Sequence, residues 1–470
     1  MPDWDLIVVG AGPGGAVAAR TAAQAGLRTL LLERGRRPGE KNASGCGLGP
    51  RMWRAFDFMA ELTPAVCPSM REGSVVCPSL REGRAIRHHL VDASGRVVTR
   101  LMTRPTASVG YEPAQRFITM NVYRSDFDPW LAGLATAAGA ELRTSTLITD
   151  LHREGGRVAG VVDEHGEVLR APLVIGADGV LSTVARTAGI RERWRRDEVV
   201  LVPQLDFACD PARIDDVLDD ETLACWWGVD FPAAYQVFFR DGFHIGLGNW
   251  LDAWEQDALA PLRHLVGLPD FSRLIRQLGA RPRELQVHLL PWLTDPGRTY
   301  GQGVMLVGDA GGFPCPLEAE GVYQAMETGR IAAEVAAEAL GAGDPSAAFL
   351  ARYETRWRAS STGIEFQAGA ELARLWRALP FSPEENMSWF IPMVSELLGG
   401  IFDWSEPHAV RLQQVARHLQ GYAPQALPFF ERDVVPLLGV ALGDEIRAAT
   451  SWRGLMRLAS LALRLRRAAR

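Results

Sequence analysis

The sequence predicts an α/β (α+β) protein with a Rossmann-like domain, an antiparallel β-sheet domain and a helical C-terminal region. A glycine-rich turn between two short apolar runs near the N-terminus indicates a strand–helix–strand unit. Short alternating runs, rich in aromatic and β-branched residues, fill residues 196–295 and favour antiparallel strands. From residue 347 onward the pattern is mainly helical, with breaks at prolines and at a glycine pair.

The N-terminal unit has the pattern of a dinucleotide-binding site. Its turn reads Gly10-Ala11-Gly12-Pro13-Gly14-Gly15 and opens an alanine-rich helix. Gly10 permits the tight turn, Gly12 lets a pyrophosphate approach the backbone, and Gly15 lets the helix pack on the strand. The start of the helix offers free N–H groups to phosphates. Glu33 follows the second apolar run at about the spacing of the acid that binds a ribose hydroxyl. The pattern does not say which dinucleotide binds.

The composition bounds the class of protein. With 470 residues, 47% of them hydrophobic and 23% charged, the chain can form two or three globular domains. Its net charge of −6 argues against a nucleic-acid partner. None of the 6 cysteines forms a CxxC pair, and no apolar run reaches the roughly 18 residues of a spanning helix. With no leader before the first strand, we expect a cytoplasmic protein that has free thiols and no metal site.

The stretch from Arg34 to Pro50 is polar and rich in glycine and proline, which predicts a loop without regular structure. It contains Lys41, the single lysine among 50 basic residues. Lysine is a compact charge whose pKa is readily tuned, and Cys46 adds a thiol to the same loop. Two interpretations remain open. The loop is either a surface segment with incidental polar residues or a segment that runs back under a bound dinucleotide.

Three other stretches give local predictions. His88 and His89 lie in an alternating hairpin pattern, which predicts solvated strand residues without a metal role. Ser125 or Asp126 is the predicted N-cap of a helix whose apolar residues recur at helical spacing. Residues 140–151 predict one strand.

Two later elements also have the form of nucleotide-binding turns. The apolar run at Val174 ends in Asp178-Gly179, and the run at Val304 ends in Gly308-Asp309. A long helix is predicted from Val322 to about Leu340, and its start can point N–H groups and the helix dipole at an anion.

In this order, the glycine turn with its acid, Ala177-Asp178-Gly179 and Val307-Gly308-Asp309-Ala310 resemble the FAD-dependent family that has the para-hydroxybenzoate hydroxylase type of fold. Tyr123–Leu131 and Lys41–Gly45 resemble the geranylgeranyl reductase and FixC group, which is similar to electron-transfer-flavoprotein:quinone oxidoreductases. The resemblance covers roughly residues 1–345.

The resemblance implies FAD as the cofactor. The ADP half would lie at the N-terminal turn with Glu33 and Arg34, and Arg124 near the central part of the cofactor. Asp178 would support the pyrophosphate, and Asp309 would bind the ribityl chain. The helix that starts near Gly321 would face the flavin pyrimidine and stabilise its negative charge. The complete set of expected cofactor-binding residues is Gly10, Gly12, Pro13, Gly14, Gly15, Glu33, Arg34, Ser44, Gly45, Arg124, Leu147, Asp178, Gly179, Gly308, Asp309, Gly321 and Val322.

The resemblance and the strand patterns together imply a discontinuous domain organisation. The FAD-binding domain takes residues 1–80, 115–195 and 296–345. The substrate-binding β domain takes residues 81–114 and 196–295, and residues 346–470 form the helical region.

The expected reaction is two-electron transfer between flavin and an apolar or conjugated organic substrate, as alkene reduction or dehydrogenation. Lys41 and Cys46 would be the catalytic residues beside the isoalloxazine, and Cys46-Gly47 looks like the Cys-Gly of many of these reductases. NAD(P)H, ferredoxin or a flavoprotein would supply electrons. One alternative is a class A flavin monooxygenase. Another is an electron relay to membrane quinone, for which the basic residues 451–470 would make a peripheral contact at the inner face of the membrane.

Two departures from related groups are visible. Geranylgeranyl reductases resemble one another in a Tyr-x-Trp-x-Phe-Pro stretch, and the nearest match here, Tyr235 to Arg240 (YQVFFR), lacks the tryptophan and the proline. The Trp-x-Trp-x-Ile-Pro pattern of halogenases is absent from the chain, which disfavours halogenation.

Overall fold

The computed structural model describes residues 3–40, 45–62, 77–91, 95–103, 117–227, 233–254, 257–316 and 319–367. Lys41 and Ser44 lie outside the described residues, as does the expected helical region beyond residue 367, including 451–470. Within the described ranges, no helix combines the length and the apolar character needed to cross a membrane.

The strands, numbered in chain order, are β1 (Leu6–Val9), β2 (Thr29–Leu32), β3 (Gly45–Leu48), β4 (Arg81–Gly83), β5 (Ala85–Val91), β6 (Val97–Thr103), β7 (Thr119–Tyr123), β8 (Glu141–Arg143), β9 (Ile148–Glu154), β10 (Arg157–Asp163), β11 (Val168–Arg170), β12 (Leu173–Gly176), β13 (Val199–Ala208), β14 (Glu221–Trp227), β15 (Ala233–Phe238), β16 (Gly242–Gly246), β17 (Asn249–Trp250), β18 (Arg281–Pro291), β19 (Tyr300–Gly301) and β20 (Val304–Leu306). The helices are α1 (Pro13–Gln24), α2 (Arg51–Ala55), α3 (Arg124–Ala137), α4 (Thr183–Thr187), α5 (Pro211–Leu218), α6 (Ala260–Gly267), α7 (Pro269–Leu278), α8 (Gly308–Gly311), α9 (Val322–Gly341) and α10 (Ala347–Ala359). A 3-10 helix spans Asp57–Leu62, and residues 361–367 are also helical.

A six-stranded sheet, in the order β19-β20-β12-β1-β2-β8, forms the first layer, and all its pairs except β19–β20 are parallel. β1 lies between β2 and β12, so the chain reverses its direction across the sheet at β1. In open parallel sheets this switch point creates a crevice at the carboxyl ends of the strands. Helices α1 and α9 approach each other closely there. A Cβ on Gly329 would lie only 2.2 Å from the carbonyl oxygen of Gly14, so the contact requires a glycine.

An eight-stranded sheet, in the order β17-β13-β16-β15-β14-β5-β6 with β18 beside β13, forms the second layer. It is antiparallel except for the parallel pair β14–β5. One face packs against α5, α6 and α7 through a buried cluster that includes Phe207, Trp226 and Phe243. Alternation along the strands turns Asp206 and His244 to the opposite side, which we call the inner face.

A small sheet, β3-β7-β4, connects the two layers. The buried side-chain amide of Asn121, on β7, donates to the carbonyl oxygen of Thr222 at 2.8 Å and to that of Phe238 at 2.9 Å. These bonds hold the small sheet against the second layer. The observed architecture confirms the predicted fold class.

Three predictions of local secondary structure were wrong. Residues 45–48 form a strand, because β7 supplies backbone partners that a loop pattern does not reveal. α3 begins at Arg124, so neither Ser125 nor Asp126 is its N-cap; Asp126 accepts a hydrogen bond from the backbone N–H of Ser79 at 3.0 Å. Residues 140–151 form two strands, and the chain turns at Ser145, whose φ is 53°.

His88 and His89 are buried, contrary to the prediction of solvated residues. The indole N–H of Trp227 donates to Nδ1 of His88 at 3.0 Å. The His89 ring stacks on Trp226 with centroids 4.0 Å apart, and neither of its nitrogens has a hydrogen-bond partner among the described residues. Burial, with smaller contributions from neighbouring charges, lowers the pKa of His89 from 6.5 to about 3.

We expect His89→Phe to make the protein less sensitive to acid. The unfolded chain binds a proton at this histidine below pH 6.5, whereas the folded protein binds it only near pH 3. Wild-type stability is therefore lost as the pH falls through this window, by about 2 kcal/mol at pH 5 from this residue. Urea unfolding at pH 8 and pH 5 measures the difference. His165→Phe, at a side chain that is 81% exposed, is the control. An unchanged pH slope in His89→Phe would contradict the assignment.

Candidate cofactor and active site

Four separate chain segments meet at the carboxyl edge of the parallel sheet. Glu33 follows β2, the glycine turn follows β1, Asp178 follows β12, and Asp309 follows β20. Because these strands are neighbours in the order β20-β12-β1-β2, parallel pairing brings the four turns into one row. The structure thus collects motifs that the sequence spreads over more than half of the chain.

The glycine turn is built so that backbone atoms can approach each other and a ligand. A Cβ on Gly15 would lie 1.8 Å from the carbonyl oxygen of Gly10, and one on Gly10 would lie 2.3 Å from that of Ala177. Gly12 is the N-cap of α1 without a side-chain cap, and Pro13 occupies the first helical turn. A Cβ on Gly12 would lie 3.4 Å from Nη2 of Arg124. The uncapped helix start and this guanidinium therefore face the same space, which suits an anion.

Glu33 lies at the β2 end of this row of turns and fixes the backbone on both sides of it. Its Oε2 accepts from the backbone N–H of Ala11 at 3.1 Å, and its Oε1 accepts from that of Gly35 at 2.7 Å. Each carboxylate oxygen keeps further acceptor capacity for a ligand hydroxyl. Arg34 is exposed beside it, and Leu147 is a large apolar side chain left 44% exposed. This combination is compatible with a ribose and a flat apolar base.

Arg124 lies at the centre of the site, at the start of α3. Its Nε and Nη2 bind the two carboxylate oxygens of Asp128 at 2.6 and 2.8 Å, and Asp128 is fully buried. The electrostatic influence of Arg124 reaches Cys46, Asp309 and His288. One positioned cation therefore joins the nucleotide-binding turns to the second layer.

The two aspartates at the strand ends differ. Asp178 accepts from the Ser182 hydroxyl at 2.5 Å and from the backbone N–H of Val184 at 3.1 Å, so it shapes the turn before α4. The carboxylate of Asp309 receives no hydrogen bond from any residue of the described ranges. Burial raises the pKa of both groups. Asp309 is thus the carboxylate that is free to bind a ligand hydroxyl.

The start of α9 lies directly beside Asp309. A Cβ on Gly321 would lie 3.4 Å from Oδ1 of Asp309, an ordinary contact distance, so the two residues are direct neighbours. Gly308 has a φ of 55° and faces Ala325 of α9. Val322 is the first helical residue. The predicted flavin-facing group of Gly308, Asp309, Gly321 and Val322 is therefore a contiguous surface.

Cys46 lies on β3, where the two layers meet. Burial raises the pKa of its thiol well above the usual range, and the nearby Arg124 only partly opposes this. The neighbouring Gly45 is covered by the ring of Phe239, since a Cβ there would lie 2.2 Å from the ring. Phe239 stacks on Tyr123 at 4.0 Å and lies 5.0 Å from the His244 ring.

The inner face continues this aromatic stack with polar groups, of which the sequence patterns singled out Tyr235 but not Gln204, Asp206 or His244. The Tyr235 hydroxyl donates to Oε1 of Gln204 at 3.2 Å, and the Gln204 amide donates to Asp206 at 3.0 Å. His244 is buried, its Nδ1 has no hydrogen-bond partner in the described part of the chain, and burial lowers its pKa to about 3. The neutral ring faces the same side as Tyr235.

These features fit FAD on structural grounds: an uncapped helix start with an adjacent cation for the pyrophosphate, a ribose-compatible carboxylate at Glu33, and a carboxylate without a donor at Asp309. The described residues include no group of three or more histidine, cysteine or acidic side chains that could hold a metal ion. Of the expected site residues, all except Lys41 and Ser44 lie in the described part of the chain. Their roles toward FAD remain predictions.

Comparison with known proteins agrees with this geometry. The family profile described as an FAD binding domain matches residues 3–238. Digeranylgeranylglycerophospholipid reductase from Methanothrix thermoacetophila is 32% identical over 361 residues, which cover 76% of this chain and 83% of that protein. The chain belongs to the geranylgeranyl reductase family. Its cofactor is FAD, and it is an oxidoreductase, as the resemblance to this family implied.

Solved structures show how widely this fold is shared beyond the family. A geranylgeranyl bacteriochlorophyll reductase-like protein from Thermoplasma acidophilum matches with a TM-score of 0.67 at 21% identity, over 88% of this chain and 96% of that one. PqsL from Pseudomonas aeruginosa, described as a probable FAD-dependent monooxygenase, matches with a TM-score of 0.56 at 18% identity, over 80% and 96%. At these identities the likeness shows the fold alone.

Proposed function

We propose that this member of the geranylgeranyl reductase family reduces carbon–carbon double bonds of an apolar, isoprenoid-type substrate. The observation that carries the proposal is the junction of Cys46, Arg124 and the aromatic stack of the inner face, at the end of the row of nucleotide-binding turns. The name of the relative from Methanothrix supports the substrate class.

The residues proposed to hold FAD divide by position. Glu33, Arg34 and Leu147 would bind the ADP end, and the glycine turn with Arg124 the pyrophosphate. Asp309 would accept from the ribityl hydroxyls. When bound, the flavin supplies the hydride for the substrate, and the protein positions both partners.

Cys46 is proposed to hold the proton that the second carbon of the double bond needs. Because burial raises the pKa of the thiol, Sγ stays protonated at neutral pH. A neutral thiol is a poor nucleophile, which disfavours covalent catalysis, and the charge of Arg124 would stabilise the thiolate that remains after Sγ gives up its proton. Lys41 is the second proposed catalytic residue, since the resemblance of its loop implies a position beside the isoalloxazine.

The inner face would bind the substrate body. Tyr123 and Phe239 offer apolar ring surface next to Cys46. Tyr235 lies over Gly246, where a Cβ would be 2.6 Å from the Tyr235 hydroxyl, and its bond to Gln204 adds a polar spot. This arrangement favours an apolar chain that ends in an oxygen-bearing group over a pure hydrocarbon.

The test is anaerobic. The FAD-loaded protein, reduced with dithionite, is mixed with geranylgeraniol, and products are analysed by mass spectrometry. We expect a gain of two mass units for each double bond reduced. A gain of labelled oxygen in a parallel aerobic run with ¹⁸O₂ would instead support a monooxygenase. Reoxidation of the flavin without any product would contradict alkene reduction for this substrate class.

Cys46→Ala should slow reduction of the double bond by about 100-fold, which is typical for loss of a positioned proton donor. Reduction of the flavin itself should be unchanged, because the thiol takes no part in it. Stopped-flow absorbance separates the two half-reactions. Cys209→Ala, at a half-buried cysteine after β13, is the matched control. Equal losses in both half-reactions would show that Cys46 only shapes the site.

We infer that the electron donor and the membrane contact can be tested on the same protein. NADH, NADPH, a ferredoxin and a reduced flavoprotein are offered in turn, and bleaching of the flavin identifies the donor.

Residues 451–470 carry six arginines and no acid, which suits an anionic lipid surface. Co-sedimentation with phosphatidylglycerol vesicles should be lost when residues 451–470 are deleted, and an absence of binding by the full chain would contradict the contact.

A further inference from the structure

The start of α9 carries a carboxylate of its own. Oε1 of Glu320 accepts a hydrogen bond from the backbone N–H of Val322 at 2.8 Å. This N–H is the first of the helix, and it belongs to the group that would otherwise be open to a ligand. A full negative charge therefore lies at the positive end of the helix dipole.

A buried ion cluster fixes Glu320 in place. Its Oε2 lies 3.1 Å from Nη2 of Arg51, whose side chain is 5% exposed. Arg51 also pairs with Glu365 and lies over the Tyr323 ring, with the guanidinium carbon 4.1 Å from the centroid. Gln324 donates to Glu365 at 2.6 Å. One guanidinium thus serves two carboxylates, so it offsets the charge of Glu320 only in part.

The charge of Glu320 acts on two groups of the proposed flavin site, Asp309 and Cys46. Burial raises the pKa of Asp309 and of Cys46, and Arg124 opposes this in both groups. Glu320 acts against Arg124 and raises both pKa values further. Both groups flank the space proposed for the isoalloxazine. A carboxylate whose charge acts on both groups also acts on a flavin placed between them.

We propose that Glu320 is a positioning residue that lowers the reduction potential of the bound flavin. A helix start alone would stabilise the negative charge that a reduced flavin carries at its pyrimidine edge. Glu320 occupies one N–H and adds repulsion, so reduced FAD binds less tightly than it otherwise would. The flavin then becomes a stronger reductant, which suits an unactivated double bond. The inference requires FAD at this site and does not depend on the identity of the substrate.

Glu320→Gln is the decisive variant, because glutamine removes the charge and can still accept from Val322. We expect reduced FAD to bind about tenfold more tightly relative to oxidised FAD, which equals a rise of about 30 mV in the two-electron midpoint potential. Photoreduction against reference dyes measures the potential. Titration of apoprotein with oxidised FAD checks that its affinity changes less than about twofold.

Two further variants separate charge from structure. Glu320→Asp keeps the charge and should leave the potential near the wild-type value. Glu334→Gln makes the same chemical change on α9 at a residue that is 38% exposed and about 18 Å farther along the helix, and it should have no effect. An unchanged potential in Glu320→Gln, or the same shift in Glu320→Asp, would overturn the proposal. If Glu320→Gln does not fold, a wild-type potential in Glu320→Ala would overturn it equally.

Discussion

Asp128→Ala should lower the free energy of unfolding by about 3–5 kcal/mol, since it leaves the Arg124 guanidinium without its partner in a buried site. Asp128 is fully buried, and both of its oxygens bind Arg124 at 2.6 and 2.8 Å. Loss of the pair should also release FAD, because Arg124 loses the anchor that aims it at the glycine turn. Chemical unfolding of the apoprotein and flavin retention on a desalting column measure the two effects.

Two control variants test this prediction further: one breaks an exposed ion pair, and the other replaces both members of the buried pair. Glu141→Ala breaks an ion pair with Arg143 whose side chains are 45% and 40% exposed, and it should cost less than about 1 kcal/mol. The double variant Arg124→Leu/Asp128→Leu should regain much of the lost stability, because a buried pair is often replaceable by apolar side chains. It should still bind no FAD, since the cation is gone. An Asp128→Ala protein as stable as Glu141→Ala would show that the pair contributes little.

The nucleotide-binding edge could be predicted from sequence because each of its parts is local. A strand, its turn and the following helix are adjacent in the chain, so Gly10, Asp178 and Asp309 each lie within a short readable pattern. What the patterns did not contain was the order of the strands. In the row β20-β12-β1-β2, two of the three pairs, β20–β12 and β12–β1, join segments more than 100 residues apart, and no local pattern contains such pairing.

The predictions that were wrong concern residues whose partners lie far away in the sequence. His88 and His89 read as surface residues because their own strand alternates, but the rings that bury them, Trp226 and Trp227, come from β14 about 140 residues later. The ion cluster around Arg51 joins α2 to Glu320 and Glu365 and leaves no local signal. One missed feature was readable, namely the i, i+4 spacing of Arg124 and Asp128.

Gly15→Ala should abolish retention of FAD, although the substitution adds a single methyl group. The new Cβ would lie 1.8 Å from the carbonyl oxygen of Gly10, a distance at which the backbone must move. The atom that must shift belongs to the tight turn itself, where φ of Gly10 is 101°. Gly10 is also packed against Ala177, because a Cβ on Gly10 would lie 2.3 Å from the Ala177 carbonyl oxygen. Overpacking of this kind costs about 1–3 kcal/mol, and it also displaces the uncapped start of α1 from the phosphates.

The same substitution at Gly133 isolates this effect. Gly133 lies inside α3, and a Cβ there would meet nothing within 4 Å. Gly133→Ala should therefore stabilise the protein by about 0.5–1 kcal/mol, because alanine loses less backbone entropy in a helix, and FAD should stay bound. Titration of each apoprotein with FAD, followed by flavin fluorescence, compares the two variants. Equal affinities in Gly15→Ala and Gly133→Ala would mean that the turn can relax, and that its glycines are not what admits the pyrophosphate.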